Sequence, residues 1–343
     1  MSVNKLRVLA LVHRHLIPPD TVEEGTDITS EPWRTEYDVI STLRGLGHEV
    51  QPLGVHDDLG EIRRLVTEWK PHIAFNLLEA FDDVTIFDQN VISYLELLKL
   101  SYTGCNPRGL LLARDKSLSK KLLAYHRIPV PEFEVFRIGR PIRRPKRLEF
   151  PLIVKSLTQE ASIGISQASV VDSDEKFKER VTFIHESIGT TALAERYIDG
   201  RELYVGIFGN QALQALPVWE LFFTNMPEGA KRIATDRVKW SVKYQKKYGI
   251  DSGLAKDVPD AQAEKIQHIC KRAYRALELS GYARIDLRLD EAGNVWVLEA
   301  NPNPQIARGE DFAASAEKIG ISYEAVLQRI LNLGLRWQPE SVA

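Results

Sequence analysis

The chain has 343 residues, 44% hydrophobic and 27% charged, which is the balance of an ordinary soluble protein, and its length is enough for two or three domains. Its 45 basic and 47 acidic side chains give a net charge of −2, leaving no electrostatic footprint for nucleic acid or an anionic membrane surface. Cys105 and Cys270 are the only cysteines and lie far apart, so neither a disulfide framework nor a cysteine-based zinc site is indicated, and a reducing cytoplasm is the expected compartment.

In chain order, residues 6–12 read as a buried strand. Arg7 inside it and His13-Arg14-His15 after it do not suit a signal peptide, and no segment has the apolar length to span a bilayer. A helix over 36–46 ended by Gly47, a strand over 48–53, a helix over 59–69, a strand over 72–76, a helix over 84–98 and a short strand ending at Tyr102-Thr103-Gly104 follow. This repeated β-α-β predicts a parallel sheet covered by helices on both faces. It lacks a Gly-x-Gly-x-x-Gly after the first strand, so a dinucleotide fold is unsupported. Next come a helix over 110–126, a break at Pro129 and Pro131, and a basic loop over 137–147. Then a strand over 151–155, a small-residue loop over 156–164, a returning strand over 165–171, a helix over 174–186 and strands over 192–197 and 202–208 are expected. The charged run 231–248 reads as loop and irregular strand, 260–279 as a long amphipathic helix, and 323–333 as a last helix that Gly334 ends.

The chemistry concentrates in a predicted hairpin. Residues 283–289 and 295–299 alternate as strands around Asp290-Glu291-Ala292-Gly293-Asn294. Alternation puts Arg284 and Asp286 on one face, with Glu299 across the ladder and Asn301 two residues beyond. Such a cluster of like charge needs a cation, and magnesium takes a few hard oxygen ligands from protein and the rest from phosphate and water. The hairpin therefore reads as a magnesium-nucleotide site, the alternative being a surface ion-pair ladder. Lys155 ends an apolar strand before a loop whose amides and hydroxyl can wrap phosphate, although a strand-end lysine is also commonly solvated. The extended segment Ala194-Glu195-Arg196-Tyr197-Ile198 offers backbone groups to a purine edge, and Glu202 offers a carboxylate to both ribose hydroxyls. The eight histidines are scattered without triad or metal spacing and read as structural or exposed.

Taken in order, these motifs resemble the ATP-grasp enzymes, specifically the D-alanine–D-alanine ligase family. The resemblance runs over nearly the whole length. It is carried by Tyr102-Thr103-Gly104 with Arg114-Asp115-Lys116, Pro151-Leu152-Ile153-Val154-Lys155 with Ser162-Ile163-Gly164-Ile165-Ser166, and Gly200-Arg201-Glu202-Leu203. Val242-Lys243-Tyr244 and Arg284-Ile285-Asp286 with Leu298-Glu299-Ala300-Asn301 complete it. The resemblance implies an α/β fold, α+β in its C-terminal half: an N-terminal parallel-sheet preATP-grasp domain at 1–108, a central lid at 109–188 and a catalytic part at 189–343. It implies that Lys116 and Lys155 hold the α- and β-phosphates with the loop at Ser162. Glu195 and the backbone at Ile198 would meet adenine, Glu202 the ribose, and Lys243 the γ-phosphate. Asp286, Glu299 and Asn301 would ligate two Mg²⁺ ions, with Mn²⁺ as the alternative, and Arg284 would stabilise a reacting acyl phosphate. The implied activity is an ATP-dependent ligase joining a small carboxylate to a small amine, with no nucleic-acid or membrane partner and a homodimer left open. A small-molecule kinase on the same fold and a non-catalytic nucleotide-binding regulator are the alternatives, and a regulator has no need of Arg284.

The amino-acid side departs from the family pattern. Gln305 stands where the family has an oxyanion-hole glycine, and Glu310 where it has a serine that binds the second substrate's carboxylate; Arg308 is the rival cation for that role. Ala161 replaces a loop serine that bonds near the position of Tyr244, and the histidine- and glycine-rich stretch of the family has become Asn76-Leu77-Leu78-Glu79-Ala80-Phe81-Asp82-Asp83. The acceptor is therefore expected to differ from D-alanine, with Gln305, Arg308, Glu310 and Tyr244 as the substrate-side residues.

Overall fold

The computed structural model describes residues 5–23, 25–159 and 162–339. The first sheet comprises β1 (Arg7–His13), β2 (Glu49–Val55), β3 (Ile73–Asn76) and β4 (Ser101–Tyr102), all parallel in the order β2-β1-β3-β4. Strand β1 is apolar and buried on both faces because helices cover both sides: α1 (Arg34–Gly45), α2 (Gly60–Glu68) and α3 (Asp88–Leu97).

The expected helix over 110–126 is two helices, α4 (Pro107–Arg114) and α5 (Lys116–Tyr125). Asp115 leaves the helical region at φ −83°, ψ 101° and its carboxylate caps Ser117 N and Leu118 N, so the chain restarts with Lys116 as the first helical residue.

The central sheet is antiparallel, in the order β5-β8-β6-β7: β5 (Phe133–Phe136), β6 (Leu152–Ser156), β7 (Val170–Val171) and β8 (Ala192–Arg196), covered by α6 (Asp174–Phe183). Two expectations change here. The returning strand at 165–171 shrinks to β7 behind a 3-10 turn capped by Ser166, and because β8 pairs with both β5 and β6, the central sheet extends past residue 188 to Arg196.

The third sheet is antiparallel: β9 (Arg201–Phe208), β10 (Gln214–Ala215), β11 (Trp219–Phe223), β12 (Ile250–Leu254), β13 (Tyr282–Leu289) and β14 (Val295–Pro302), ordered β12-β11-β9-β13-β14 with β10 on β9. Between β11 and β12 the charged run is helical, not irregular strand: α7 (Asp236–Trp240) is capped by Thr235 and α8 (Val242–Tyr248) by Ser241. Helices α9 (Asp260–Ala276), α10 (Asp311–Glu317) and α11 (Tyr323–Arg336) complete the chain. Gly334 does not end the last helix but lies inside it. A Cβ there would stand 2.3 Å from the Tyr102 carbonyl oxygen, so glycine lets α11 press against β4.

Val8, Ala10, Phe75 and Leu43 pack with Val326, Leu327 and Ile330 of α11, so the first sheet and the last helix share one core. A second core joins Leu9 and Leu11 through Leu110 to Val205, Ile285 and Cys270 of the third sheet and α9. The central sheet has its own core around Phe136, Val154, Phe177 and Ala194, as suits a part that covers a cleft. Among the described residues no helix is long and apolar enough to cross a membrane.

Glu36 in α1 is a buried charge with a testable consequence. Burial pushes its carboxyl up to about 7; its own backbone hydrogen bond opposes this, and the nearby charge of Glu79 adds to it. Its Oε2 is buried without a hydrogen-bond partner. A folded pKa above the usual 4.5 means that the folded state holds the proton more tightly. This stabilisation is complete below the unfolded value and is lost as pH rises through the folded one. The shift corresponds to on the order of 3 kcal/mol. Glu36→Gln, neutral at every pH, is expected to raise the thermal midpoint by several degrees at pH 8 and hardly at pH 4.5. A midpoint difference that does not change between those pH values would reject the assignment.

Candidate functional site

The hairpin of β13 and β14 sets Asp286 opposite Glu299 and Arg284 opposite Asn301. The register slips after Asp286, since Leu287 pairs with Val297, and this bulge brings Leu298 and Glu299 together with Asp286 onto the wall of one cleft. Arg284 grips Asp286 with two bonds, Nε to Oδ1 at 2.7 Å and Nη2 to Oδ2 at 2.9 Å, while its guanidinium lies 4.6 Å from the centre of the Tyr204 ring.

Burial pushes the Asp286 carboxyl above the usual carboxylate range, against the pull of Arg284, and the neighbouring Glu299 adds to the rise. Glu299 goes the other way. Burial works against its ionisation, but Lys116, Lys155 and Lys239 together bring it down to about 2. The side-chain nitrogen of Asn301 is buried with no hydrogen-bond partner. Two carboxylates on the cleft wall, with an amide two residues beyond, are the hard, sparse donor set that Mg²⁺ uses when phosphate and water complete its shell, so the residues fit that ion.

Cations converge on this edge from α5 and from β6 of the central sheet. Because Asp115 restarts the helix, Lys116 sits at its first turn. Its Nζ donates to the Gln159 carbonyl at 2.8 Å and lies 4.0 Å from Glu299 Oε2. One turn later Lys120, fully buried, meets Glu195 at 2.7 Å, and Lys155 meets the other oxygen of the same carboxylate at 2.7 Å. Burial lowers the Lys120 ammonium pKa against the attraction of Glu195. For Lys155 burial is outweighed by Glu195, Glu299 and Glu202, and its pKa rises. Glu195 is thus a counter-ion locked between two lysines. Lys120 follows Lys116 by four residues on one helical face, a spacing from which it was readable.

The cleft is bounded on one side by β6 and the residues that follow it and on the other by β9, β13 and β14. Ile153, Ile165, Ile233 and Leu298 give it apolar walls, and Ile198 lines it where the chain leaves β8. At Glu202 both oxygens are already held, Oε2 by Arg288 at 2.7 Å and Oε1 by the Tyr204 hydroxyl at 3.0 Å. Each oxygen keeps a lone pair for a ribose hydroxyl. If Glu202 takes that role, ATP is expected to bind about tenfold or more tighter than its 2′,3′-dideoxy analogue, the worth of a charge-assisted hydrogen bond. Equal affinities in calorimetric titration would remove Glu202 from the ribose.

The cover of the cleft is stitched from two segments. Ser162, at φ +64°, donates through Oγ to the Ala234 carbonyl at 2.7 Å, and Gln167 exchanges two bonds with the Lys231 backbone, at 2.9 and 2.8 Å. Ala161 lies outside the described residues. The lysine assignment in the second segment moves: Lys243 is exposed on α8 and does not line the cleft, whereas Lys239 at the end of α7 does. Ser241 separates the two helices and turns Lys243 and Tyr244 away; Tyr244 packs against Tyr248 with the rings tilted by 54° and their centres 4.5 Å apart.

On the amino-acid side Gln305 and Arg308 are exposed. Arg308 is turned toward α1 and α11, bonding Thr42 Oγ1 and Glu324 Oε1 over the Tyr323 ring, so it does not supply a cation to the site. Glu310 caps the start of α10 beside Asp311, whose Oδ2 lies 4.0 Å from Arg284 Nη1. Its counter-ion is Arg34, at 3.0 Å, a residue the motifs did not point to because it comes from the other end of the chain.

A cleft between two antiparallel sheets, with lysines from α5, β6 and α7 closing on a carboxylate pair, is the arrangement of an ATP-grasp enzyme. The family model for the D-ala D-ala ligase C-terminus matches residues 122–332. A D-alanine–D-alanine ligase of Bordetella petrii is 34% identical over 244 residues, 69% of this chain and 69% of that protein; one of Desulforudis audaxviator is 30% identical over 298 residues, 86% and 90% of the two chains. The ATP-complexed D-alanine–D-alanine ligase of Bacillus anthracis shares the fold at a TM-score of 0.73 and 22% identity, over 96% of this chain and 98% of that one. The chain belongs to the D-alanine–D-alanine ligase family, which makes it an enzyme of the ATP-dependent C–N ligase class.

Proposed function

We propose that the protein joins a carboxylate to an amine through an acyl phosphate, using ATP and two Mg²⁺ ions, with an acceptor other than D-alanine. The observation that supports this reading most is the convergence of Lys116, Lys155, Lys239 and Arg284 on the Asp286–Glu299 edge, with Glu202 on the wall of the same cleft. Lys116 and Lys155 hold the α- and β-phosphates, and Lys239, in place of Lys243, faces the γ-phosphate. The reading divides the chain into an N-terminal unit at 1–108, a central lid at 109–188 and a catalytic part at 189–343, with the pairing of β8 on β5 and β6 favouring a lid boundary moved to Arg196.

Asp286, Glu299 and Asn301 would hold the metal ions, which when bound neutralise charge on the transferring phosphoryl group. The Lys120–Glu195–Lys155 triplet fixes Lys155 in one place. Removing either partner would leave an uncompensated buried charge, so the lysine is pre-positioned rather than recruited by ATP. Arg284, held by Asp286, sets its guanidinium where the charge of an acyl phosphate develops. The Ser162–Ala234 closure keeps water from the activated acyl group.

The test is turnover by the purified protein with Mg²⁺-ATP and pooled amino acids and amines, read by phosphate release and product mass. The proposal requires ADP, phosphate and an amide, with phosphate release dependent on both substrates. ADP with a phosphorylated product and no free phosphate would make the protein a kinase, and absence of turnover would make it a regulator.

A further inference from the structure

The histidines are not all scattered in space. His13 ends β1 and His56 directly follows β2, and since these strands are parallel neighbours their ends lie side by side, at the edge where open α/β sheets place ligands. The rings of His13 and His56 are 5.5 Å apart, and His15 lies 5.3 Å from His13 and 6.4 Å from His56. None of them lines the nucleotide cleft.

The loop after β3 supplies the anion. Asp82 and Asp83 both take left-handed φ values, +52° and +56°, a conformation costly for side chains with a Cβ and here held by the Asp82 amide bonding the His56 carbonyl at 2.7 Å. This places Asp83 across both imidazoles, Oδ1 at 3.5 Å from His13 Nε2 and Oδ2 at 3.3 Å from His56 Nε2. The His56 contact is a hydrogen bond at the long end of the range, and both separations match the spacing of donors around a tetrahedral ion. Bonds of about 2.0–2.1 Å put neighbouring donors about 3.3 Å apart.

Two further details fit. His13 Nε2 is buried without a hydrogen-bond partner, His56 Nδ1 stands 3.4 Å from Asp57 Oδ1 so that its Nε2 is the nitrogen turned to the site, and ligand atoms of His13, His56 and Asp83 lie within 4.8 Å of one another. His13 Nδ1 accepts only a long 3.4 Å contact from the His15 amide, which a coordinated ring surrenders at small cost. His15 is exposed and near enough to swing in as a fourth ligand.

We propose that His13, His56 and Asp83 bind a first-row divalent transition ion, Zn²⁺ as the reference case, separate from the Mg²⁺ of the nucleotide cleft. Two imidazoles and one carboxylate are the donors such ions prefer over Mg²⁺. The ion would pin the loop that replaces the family's glycine-rich stretch to the ends of β1 and β2.

The test is titration of the metal-stripped full-length protein with Co²⁺, followed by its visible absorption and by displacement with Zn²⁺, in excess Mg²⁺. The proposal expects about one equivalent bound with micromolar affinity or better. Asp83→Asn, a change at an exposed loop residue that the fold tolerates, should weaken binding at least tenfold, and His56→Ala about a hundredfold, with ATP binding unaltered. Asp286→Asn should leave the Co²⁺ spectrum intact, so this site can fail or stand independently of the ligase reading. Millimolar affinity, equal affinity in wild type and Asp83→Asn, or loss of the spectrum with Asp286→Asn would each overturn it.

Discussion

Asp286→Asn and Glu299→Gln are each expected to cut turnover by at least about a hundredfold, on the order of 3 kcal/mol, because under the proposed function each removes a charge that would face Mg²⁺ without changing volume. The two substitutions differ in side effect. Asp286 is also the bidentate partner of Arg284, so its replacement frees that guanidinium to swing toward Asp311, and both metal and acyl phosphate lose their anchor. Glu299 instead balances Lys116, Lys155 and Lys239, so Glu299→Gln leaves the lysines mutually repelling and should bind nucleotide phosphates no more weakly while losing the metal. Phosphate-release assays at rising Mg²⁺ separate the cases: a higher Mg²⁺ requirement is expected of both variants, with thermal midpoints close to wild type. Wild-type-like release by either variant would end the metal assignment.

The parts of this site written in periodic or contiguous sequence were legible. Alternation along residues 283–289 put Arg284 and Asp286 on one face, and the hairpin brought Glu299 and Asn301 to them, as the register shows. Lys155, Ser162, Ile198 and Glu202 line or border the same cleft because a strand end and the residues that follow it stay close in space. What was not legible depended on local breaks or on distance along the chain. Asp115 and Ser241 each end one helix and cap the next, and the second of these turned Lys243 outward and left Lys239 at the cleft. Arg34 and Glu310 are 276 residues apart, and His13, His56 and Asp83 meet only because parallel strands bring their ends together. No periodicity encodes such encounters.

The acceptor site carries the remaining large effect, and it rests on the ligase reading. Glu310 and Asp311 open α10 beside Arg284, at positions where the resemblance implies that a substrate carboxylate binds. Burial pushes the Glu310 carboxyl up, Arg34 pulls it back and Asp311 pushes it further. Two carboxylates about 4 Å apart repel by roughly 4 kcal/mol at an effective dielectric near 20, and one guanidinium at hydrogen-bonding distance offsets only part of that. D-Alanine is therefore expected to be a poor acceptor, and alaninamide or an amine with a cationic far end a better one. Glu310→Ser should improve kcat/KM for D-alanine relative to alaninamide by on the order of tenfold to a hundredfold. Arg34→Ala, assayed at a pH high enough to keep Glu310 ionised, should move the ratio the other way, because Glu310 is then charged without a counter-ion. Arg308→Ala should leave the ratio unchanged, since that guanidinium is spent on Glu324, Thr42 and the Tyr323 ring. Efficient D-alanyl-D-alanine synthesis by wild type, indifferent to Glu310→Ser and Arg34→Ala, would show that these charges do not face the acceptor and that the amino-acid side of the site works as in its relatives.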